Sequence, residues 1–143
     1  MLYLTSISFE DRCLALLRDL APNNAHGQAL ILDFLGYENV SPYIFNKREA
    51  LNILEQKGYI VHILYVELSR PLQALLTIES ALSRLNVRAV TFDISTMPRN
   101  YLLGICKLLS SIGLPTTIRY YRPSDYGAEQ SRGIGGVGPI PGF

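Results

Sequence analysis

The chain has 143 residues, of which 48% are apolar, and a formal net charge of +1. This length allows one domain with a real core, and the composition excludes a chain that is mostly disordered. The near-neutral charge gives no overall attraction to nucleic acid or to an anionic membrane. No uncharged apolar run reaches the roughly 18 residues that a membrane helix needs. We therefore expect a soluble protein of the cytoplasm.

Five apolar runs alternate with four segments of helical periodicity. The runs predict strands at residues 1–7, 28–35, 59–68 and 114–121, with a fourth strand in chain order starting at Val87. The helices are expected at about 9–20, from 46 to shortly before Gly58, from 70 to 85 and at 98–112. Alternation of this kind favours an α/β fold, a Rossmann-like three-layer sandwich whose five-stranded parallel sheet has helices on both faces.

Each predicted helix begins near a polar residue that is typical of an N-cap. Prolines placed in the first turn support two of these starts, because their missing N–H has no partner to lose there. The predicted caps are Ser8, Asn46, Ser69 and Thr96. Gly58 and Gly113 are expected to end the second and fourth helices, and Asn86 the third.

The stretch from Val87 to Arg99 is a buried strand that leads polar residues directly into a helix. The segment from Ser6 to Arg12 has the same order, with Ile-Ser after the strand and an arginine in the first helical turn. Ligands of open α/β sheets bind at the carboxyl ends of the strands, where the strand order reverses. Strand orders 3-2-1-4-5 and 2-1-3-4-5 both bring the same set to one edge, namely Ser6, Ser8, Asp93, Ser95 and Thr96. We expect the fourth strand to be central.

This edge has the chemistry of an anion site. Free N–H groups at helix starts attract phosphate or carboxylate, and Arg12 and Arg99 add bidentate donors. Asp93 is suited to a sugar hydroxyl or to a role as a base. The alternative is that Ser8 and Thr96 are caps only, and that both arginines are solvated first-turn residues.

These residues favour a ligand-sensing or interaction module for a small anionic, nucleotide-like or phosphorylated molecule, within a larger protein or complex. The alternative is a nucleotide or NAD hydrolase or transferase that uses Asp93 or Glu67, with a nucleotide or NAD-like cofactor. Asp33 near the end of the second strand and Glu67 near the end of the third are in position to reach the same edge, and the alternative for each is a paired or capping carboxylate. The chain has neither the Gly-x-Gly-x-x-Gly fingerprint nor the Gly-x-x-x-x-Gly-Lys-Ser motif.

No metal site is expected. His26 and His62 have no other metal-ligating residues at suitable spacing, and Cys13 and Cys106 form no Cys-x-x-Cys pair. Both cysteines lie on apolar helix faces, which predicts free thiols in a reducing compartment.

The composition changes near the C-terminus. Tyr120 and Tyr121 stand beside Arg122 at the end of the last strand, where aromatic rings can stack a ligand, although half-buried edge-strand tyrosines are the alternative. Six of the eleven glycines lie in the last 17 residues. We therefore divide the chain into an α/β domain at 1–126 and a Gly-rich tail, or the start of a further region, at 127–143. The tail is expected to lack regular structure. A protein partner or homo-oligomer contact is predicted through the tail and the edge strand.

Two segments resemble the Toll/interleukin-1 receptor (TIR) domain family. Residues 7–12, Ile-Ser-Phe-Glu-Asp-Arg, resemble the end of that family's first strand and its first loop, and residues 120–126 resemble the segment after a late strand. The NAD-cleaving members carry a catalytic Glu in a Trp-Cys-x-x-Glu-Leu-like context. The helix compared with it, 101–109, has no acidic residue, and Glu79 lacks that context. The resemblance therefore implies binding or assembly rather than NAD cleavage.

Overall fold

The computed structural model describes residues 1–22 and 27–122. Its elements alternate along the chain, as the sequence predicts. They are β1 (Leu2–Ser6), α1 (Arg12–Arg18), β2 (Gln28–Phe34), α2 (Ser41–Gln56), β3 (Ile60–Val66), α3 (Pro71–Arg84), β4 (Val90–Asp93), α4 (Arg99–Ser111) and β5 (Thr116–Arg119). The predicted α/β fold class is confirmed.

The five strands form one parallel sheet in the order β3-β2-β1-β4-β5. This is the first of the two predicted orders. The middle strand is β1, which pairs with β2 on one side and β4 on the other. The fourth strand was expected to be central, and it lies inside the sheet between β1 and β5, although the middle position belongs to β1. Strand β4 is an interior strand, and β5 is an edge, as predicted.

Helices cover both faces of the sheet. The face under α1 and α2 is built on Tyr3, Ala29 and Ile31, packed against Cys13 and Leu54. The opposite face, under α3 and α4, is larger and includes the fully buried side chains of Leu4, Leu30, Phe92, Ile78 and Tyr101. Alternate residues of each strand enter different layers, so both faces of the inner strands are apolar.

The predicted N-caps were wrong in all four helices, although α3 and α4 start within one residue of the predicted positions. The cap positions are occupied by Asp11, Val40, Arg70 and Pro98, and none of these makes a side-chain cap hydrogen bond. Thus Ser8, Asn46, Ser69 and Thr96 are not N-caps. Proline explains the displacement in α2, because Pro42 fits the first turn and the helix therefore starts five residues before Asn46. The same preference places Pro71 at the start of α3.

The predicted helix ends hold. Gly58 and Gly113 have φ angles of 82° and 69°, and Asn86 has a φ of 51°. Each follows its helix in the left-handed conformation that glycine and asparagine adopt most readily.

Strand β5 pairs with β4 and has no second strand beside it among residues 1–22 and 27–122. Most of its residues are exposed. The Gly-rich tail lies outside the described residues, and so does His26. The predicted partner contact through this edge and tail remains a prediction, as does the domain boundary at residue 126. None of the described helices has both the length and the apolar character needed to cross a membrane.

Candidate functional site

The chain order reverses between β1 and β4, and the crevice at their carboxyl ends is the expected ligand position in a sheet of this type. Helix α1 leaves this edge on one face and α4 leaves it on the other. The register pairs Leu4 with Phe92, so Ser6 and Asp93 end their strands at nearly the same height. The structure therefore brings the two predicted turns to one edge.

Asp93 is buried and organises the β4 side of the crevice. Its Oδ2 accepts hydrogen bonds from the hydroxyls of Tyr3 (2.9 Å) and Thr5 (3.3 Å), both on β1. Its Oδ1 accepts from the backbone N–H (2.9 Å) and the hydroxyl (2.6 Å) of Ser95. Four donors thus compensate for the hydration that this carboxylate loses, since Asp93 is only 2% exposed. Burial raises the pKa of Tyr3 well above its ordinary value, and the neighbouring Asp93 raises it further.

Ser95 links this network to the end of the sheet. Its hydroxyl donates to Asp93 and accepts the backbone N–H of Tyr121 at 2.9 Å. The backbone N–H of Ile94 also donates to the carbonyl of Arg119. The chain that follows β5 is therefore fastened to the β4 turn. Asp93 and Ser95 fix the shape of this turn, and Tyr121 joins it through its backbone.

The β1 side of the crevice is held differently. Arg12 forms a close ion pair with Glu10 (2.7 Å), which neutralises its charge locally. The hydroxyl of Ser8 accepts the N–H of Glu10, and its carbonyl accepts the side-chain amide of Asn46 at 2.9 Å. Ser6 is 1% exposed, and its hydroxyl has no hydrogen-bond partner within the described residues.

The start of α4 has unused donors at this edge. Pro98 occupies the N-cap position and makes no side-chain cap. Asn100 supplies its side-chain oxygen to the N–H of Tyr101. Within residues 1–22 and 27–122, the N–H groups of Arg99 and Asn100 and the hydroxyl of Thr96 make no hydrogen bond. Arg99 is exposed, and it forms no ion pair in that part of the chain.

Glu67 lies two strands away from the crevice. It follows β3, is largely exposed and pairs with Arg70 at 3.2 Å. Its backbone carbonyl accepts the hydroxyl of Tyr101. The two predicted catalytic candidates therefore do not share one site. Asp93 is buried with both oxygens engaged, so its placement favours a structural role over that of a base.

A second polar network lies at the carboxyl end of β2, where Asp33 is a paired carboxylate, the alternative given for it above, with partners that the sequence did not reveal. Asp33 is 5% exposed and accepts the hydroxyl of Tyr43 (2.7 Å) and the ammonium of Lys47 (2.7 Å). The Tyr43 hydroxyl also accepts the N–H of Phe34 at 2.8 Å. Burial and the bond to Asp33 raise the pKa of Tyr43. The i, i+4 spacing of Tyr43 and Lys47 was a usable signal, but only for a helix that begins before Tyr43.

No group of three or more metal-ligating side chains occurs among the residues that the structure describes. Both cysteines are free thiols. Burial raises the pKa of Cys13 to about 11, which keeps its sulfur protonated at neutral pH. His62 contacts the side chain of Gln28 at 2.9 Å, far from either network in the sheet.

No family model matches the chain, and no curated protein matches its sequence. Among solved structures, the chain is similar to the hypothetical protein MJ0577, whose structure was described as a test case of structural genomics for assigning biochemical function. The match has a TM-score of 0.50 and 14% identity, and it covers 86% of this chain and 97% of that one. At this identity the likeness shows the α/β fold alone.

Proposed function

We propose that this domain is a binding module for a small phosphorylated, nucleotide-like molecule, which it holds at the crevice between β1 and β4. The observation that carries the proposal is the uncapped first turn of α4 at the point where the strand order reverses. A 13-residue helix presents the positive end of its dipole there, together with free N–H groups. The exposed guanidinium of Arg99 adds a charged donor suited to phosphate.

The surrounding turns supply a rigid frame for such a ligand. Asp93 and Ser95 hold the β4 turn through four hydrogen bonds, so Thr96 and Arg99 start from a fixed backbone. Ser6 adds a buried hydroxyl without a partner in the described residues, at the end of the neighbouring strand. In this arrangement, Asp93 positions the turn and does not touch the ligand. The proposed activity is binding, and Asp93, with both oxygens engaged in hydrogen bonds, is not placed to act as a base.

Titration of the protein with pyrophosphate and with ADP, followed by amide chemical shifts, tests the proposal. We expect the backbone amides of residues 95–97, 99 and 100 to shift, and we expect Arg99→Gln to weaken both ligands about tenfold through loss of a charge-assisted contact. Arg88→Gln is the matched control, because Arg88 is exposed and precedes β4 at the opposite edge of the sheet. Equal affinities for the two variants would contradict the site, and release of product from ADP or NAD would favour the enzyme alternative.

A further inference from the structure

A cleft of about 280 Å³ opens beside the Asp33 network, at the carboxyl ends of β2 and β3. The Lys47 ammonium lies at the Asp33 carboxylate and 5.2 Å from the centre of the Tyr65 ring. Tyr65 is 57% exposed. The wall of the cleft therefore combines a partly exposed ion pair with an aromatic ring that a ligand can reach. The lining residues are Asp33, Leu35, Glu38, Tyr43, Ile44, Lys47 and Tyr65.

The polar groups of the cleft have unused hydrogen-bonding capacity. A carboxylate has about four acceptor positions, and each Asp33 oxygen has one partner within the described residues. Glu38 uses one oxygen for the N–H of Gly36 and leaves the other free in the same part of the chain. Lys47 has three N–H donors, of which Asp33 takes one. Free acceptors beside a free donor match vicinal hydroxyl groups, which both donate and accept.

The charges of the cleft disfavour an anion. Asp33 already neutralises Lys47, and Glu38 leaves the cleft with a net negative charge. The start of α4 has the opposite character, with a helix dipole and Arg99. The two places therefore suit different parts of one molecule: a neutral hydroxylated part in the cleft and an anionic part at the crevice.

We infer that the cleft holds the nucleoside of a nucleoside di- or triphosphate whose terminal phosphate lies at the start of α4. Asp33, Glu38 and Lys47 bind the sugar hydroxyls, and the base stacks on Tyr65, a contact that tolerates any base. This inference rests on the proposed phosphate site. Along the sheet, the crevice and the cleft are two strand spacings apart, about 10 Å, and the start of α4 lies on the opposite face of the sheet from α2, which adds to that separation. That separation exceeds the reach of a single phosphate from its sugar, which is why the ligand has at least two.

The experiment compares affinities for ADP, 2′,3′-dideoxy-ADP and pyrophosphate by calorimetry. We expect the wild type to bind ADP about tenfold more tightly than dideoxy-ADP, because that analogue leaves cleft groups unpaired. Glu38→Gln and Tyr65→Leu should each weaken ADP about tenfold and leave pyrophosphate unchanged. Both side chains are exposed, so these variants keep the fold, which thermal melting verifies. Glu79→Gln on α3 and Ile60→Leu at the other end of β3 are the matched controls.

The outcomes separate this inference from the proposed function. If Arg99→Gln weakens pyrophosphate and ADP while the cleft variants bind ADP like the wild type, the phosphate site stands and the nucleoside cleft is wrong. If neither ADP nor pyrophosphate binds the wild type, both fail. If the cleft variants weaken ADP and Arg99→Gln does not, the single ligand spanning both places is wrong. Equal affinity of the wild type for ADP and dideoxy-ADP also overturns the sugar contacts.

Discussion

Asp33 and Asp93 lie near the carboxyl ends of β2 and β4 in the same sheet. Each accepts a hydrogen bond from a tyrosine hydroxyl, but their surroundings differ. Asp93 is surrounded by neutral donors from β1 and its own turn, and it is 2% exposed. Asp33 is paired with a cation, Lys47, whose side chain is about one-third exposed. The difference shows that position at a strand end does not decide the role of a carboxylate. The role of the carboxylate depends on which donors reach it and on whether those donors are accessible to water.

The sheet order explains why the donors differ. Asp93 and Asp33 both lie on interior strands, but for Asp93 the adjacent strand β1 brings the hydroxyls of Tyr3 and Thr5 within hydrogen-bond distance. Asp33 follows Ala29 and Ile31 on its face of β2, and those residues supply no donor. Its compensation therefore comes from the helix above, through Tyr43 and Lys47 of α2. We call the network around Asp93 closed, because its donors are neutral and buried, and the network around Asp33 open, because Lys47 is partly exposed. The closed network stabilises a turn, whereas the open one can accept a ligand.

The largest expected effect is on stability, when each carboxylate becomes an amide. Asp93→Asn places an NH₂ group among hydroxyl and N–H donors, and it should lower the free energy of unfolding by about 3 kcal/mol. Asp33→Asn should cost about half as much, because Lys47 can turn toward water. Urea denaturation measures both, with Asp19→Asn on the exposed end of α1 as the control. A larger loss at Asp33 than at Asp93 would reverse the comparison.

Much of the fold was predictable because it depends on periodicity. The apolar run of β2 and the helical spacing of the apolar residues in α3 specify element type, and βαβ alternation then restricts the sheet to parallel orders. The choice of β1 as the middle strand was not predictable, since both candidate orders satisfy the same pattern. The start of α2 was missed because Pro42 in the first turn outweighed the polar residue Asn46 farther along the chain.

The candidate site was predictable in location but not in its internal pairing. The Ile-Ser dipeptide that both turns share correctly predicted that Ser8 and Ser95 lie at the same edge of the sheet. The sequence could not reveal that Asp93 accepts a hydrogen bond from Tyr3, because 90 residues separate the two. The pairing of Asp33 with Lys47 could not be predicted for a related reason. Which side of α2 carries Lys47 can be predicted only when the first residue of the helix is known.

A smaller effect is expected from alkaline pH, and it should appear in both networks. The pKa values of Tyr3 and Tyr43 are raised in the folded protein, chiefly by burial. The unfolded phenols release a proton near pH 10, while the folded ones keep theirs. The stability that each provides is therefore complete below pH 10 and declines above it, by about 1.4 kcal/mol per pH unit for each phenol.

Tyr3→Phe and Tyr43→Phe separate the two contributions. Each variant should show a shallower decline of unfolding free energy between pH 10 and 11 than the wild type, measured by urea denaturation at fixed ionic strength. The pKa of Lys47 is also raised, first by its bond to Asp33. Its contribution is likewise present below its ordinary pKa and lost at higher pH, so some decline should survive in Tyr43→Phe. An unchanged slope in Tyr3→Phe would mean that its hydroxyl is accessible to water.

The smallest effect should come from salt, and it should distinguish the two networks most directly. Added salt shortens the screening length from about 10 Å at 0.1 M to about 3 Å at 1 M. The Lys47–Asp33 pair is partly solvated, so the cost of Asp33→Asn should fall by about 0.3 kcal/mol over this range. The donors of Asp93 are neutral and buried, so the cost of Asp93→Asn should stay constant once both variants are referred to the wild type at the same salt. Urea titrations at the two concentrations give this difference, and Asp19→Asn reports any general effect of salt on surface carboxylates. An equal dependence on salt at both sites would show that water reaches Asp93 as readily as Asp33, and the division into a closed and an open network would then be wrong.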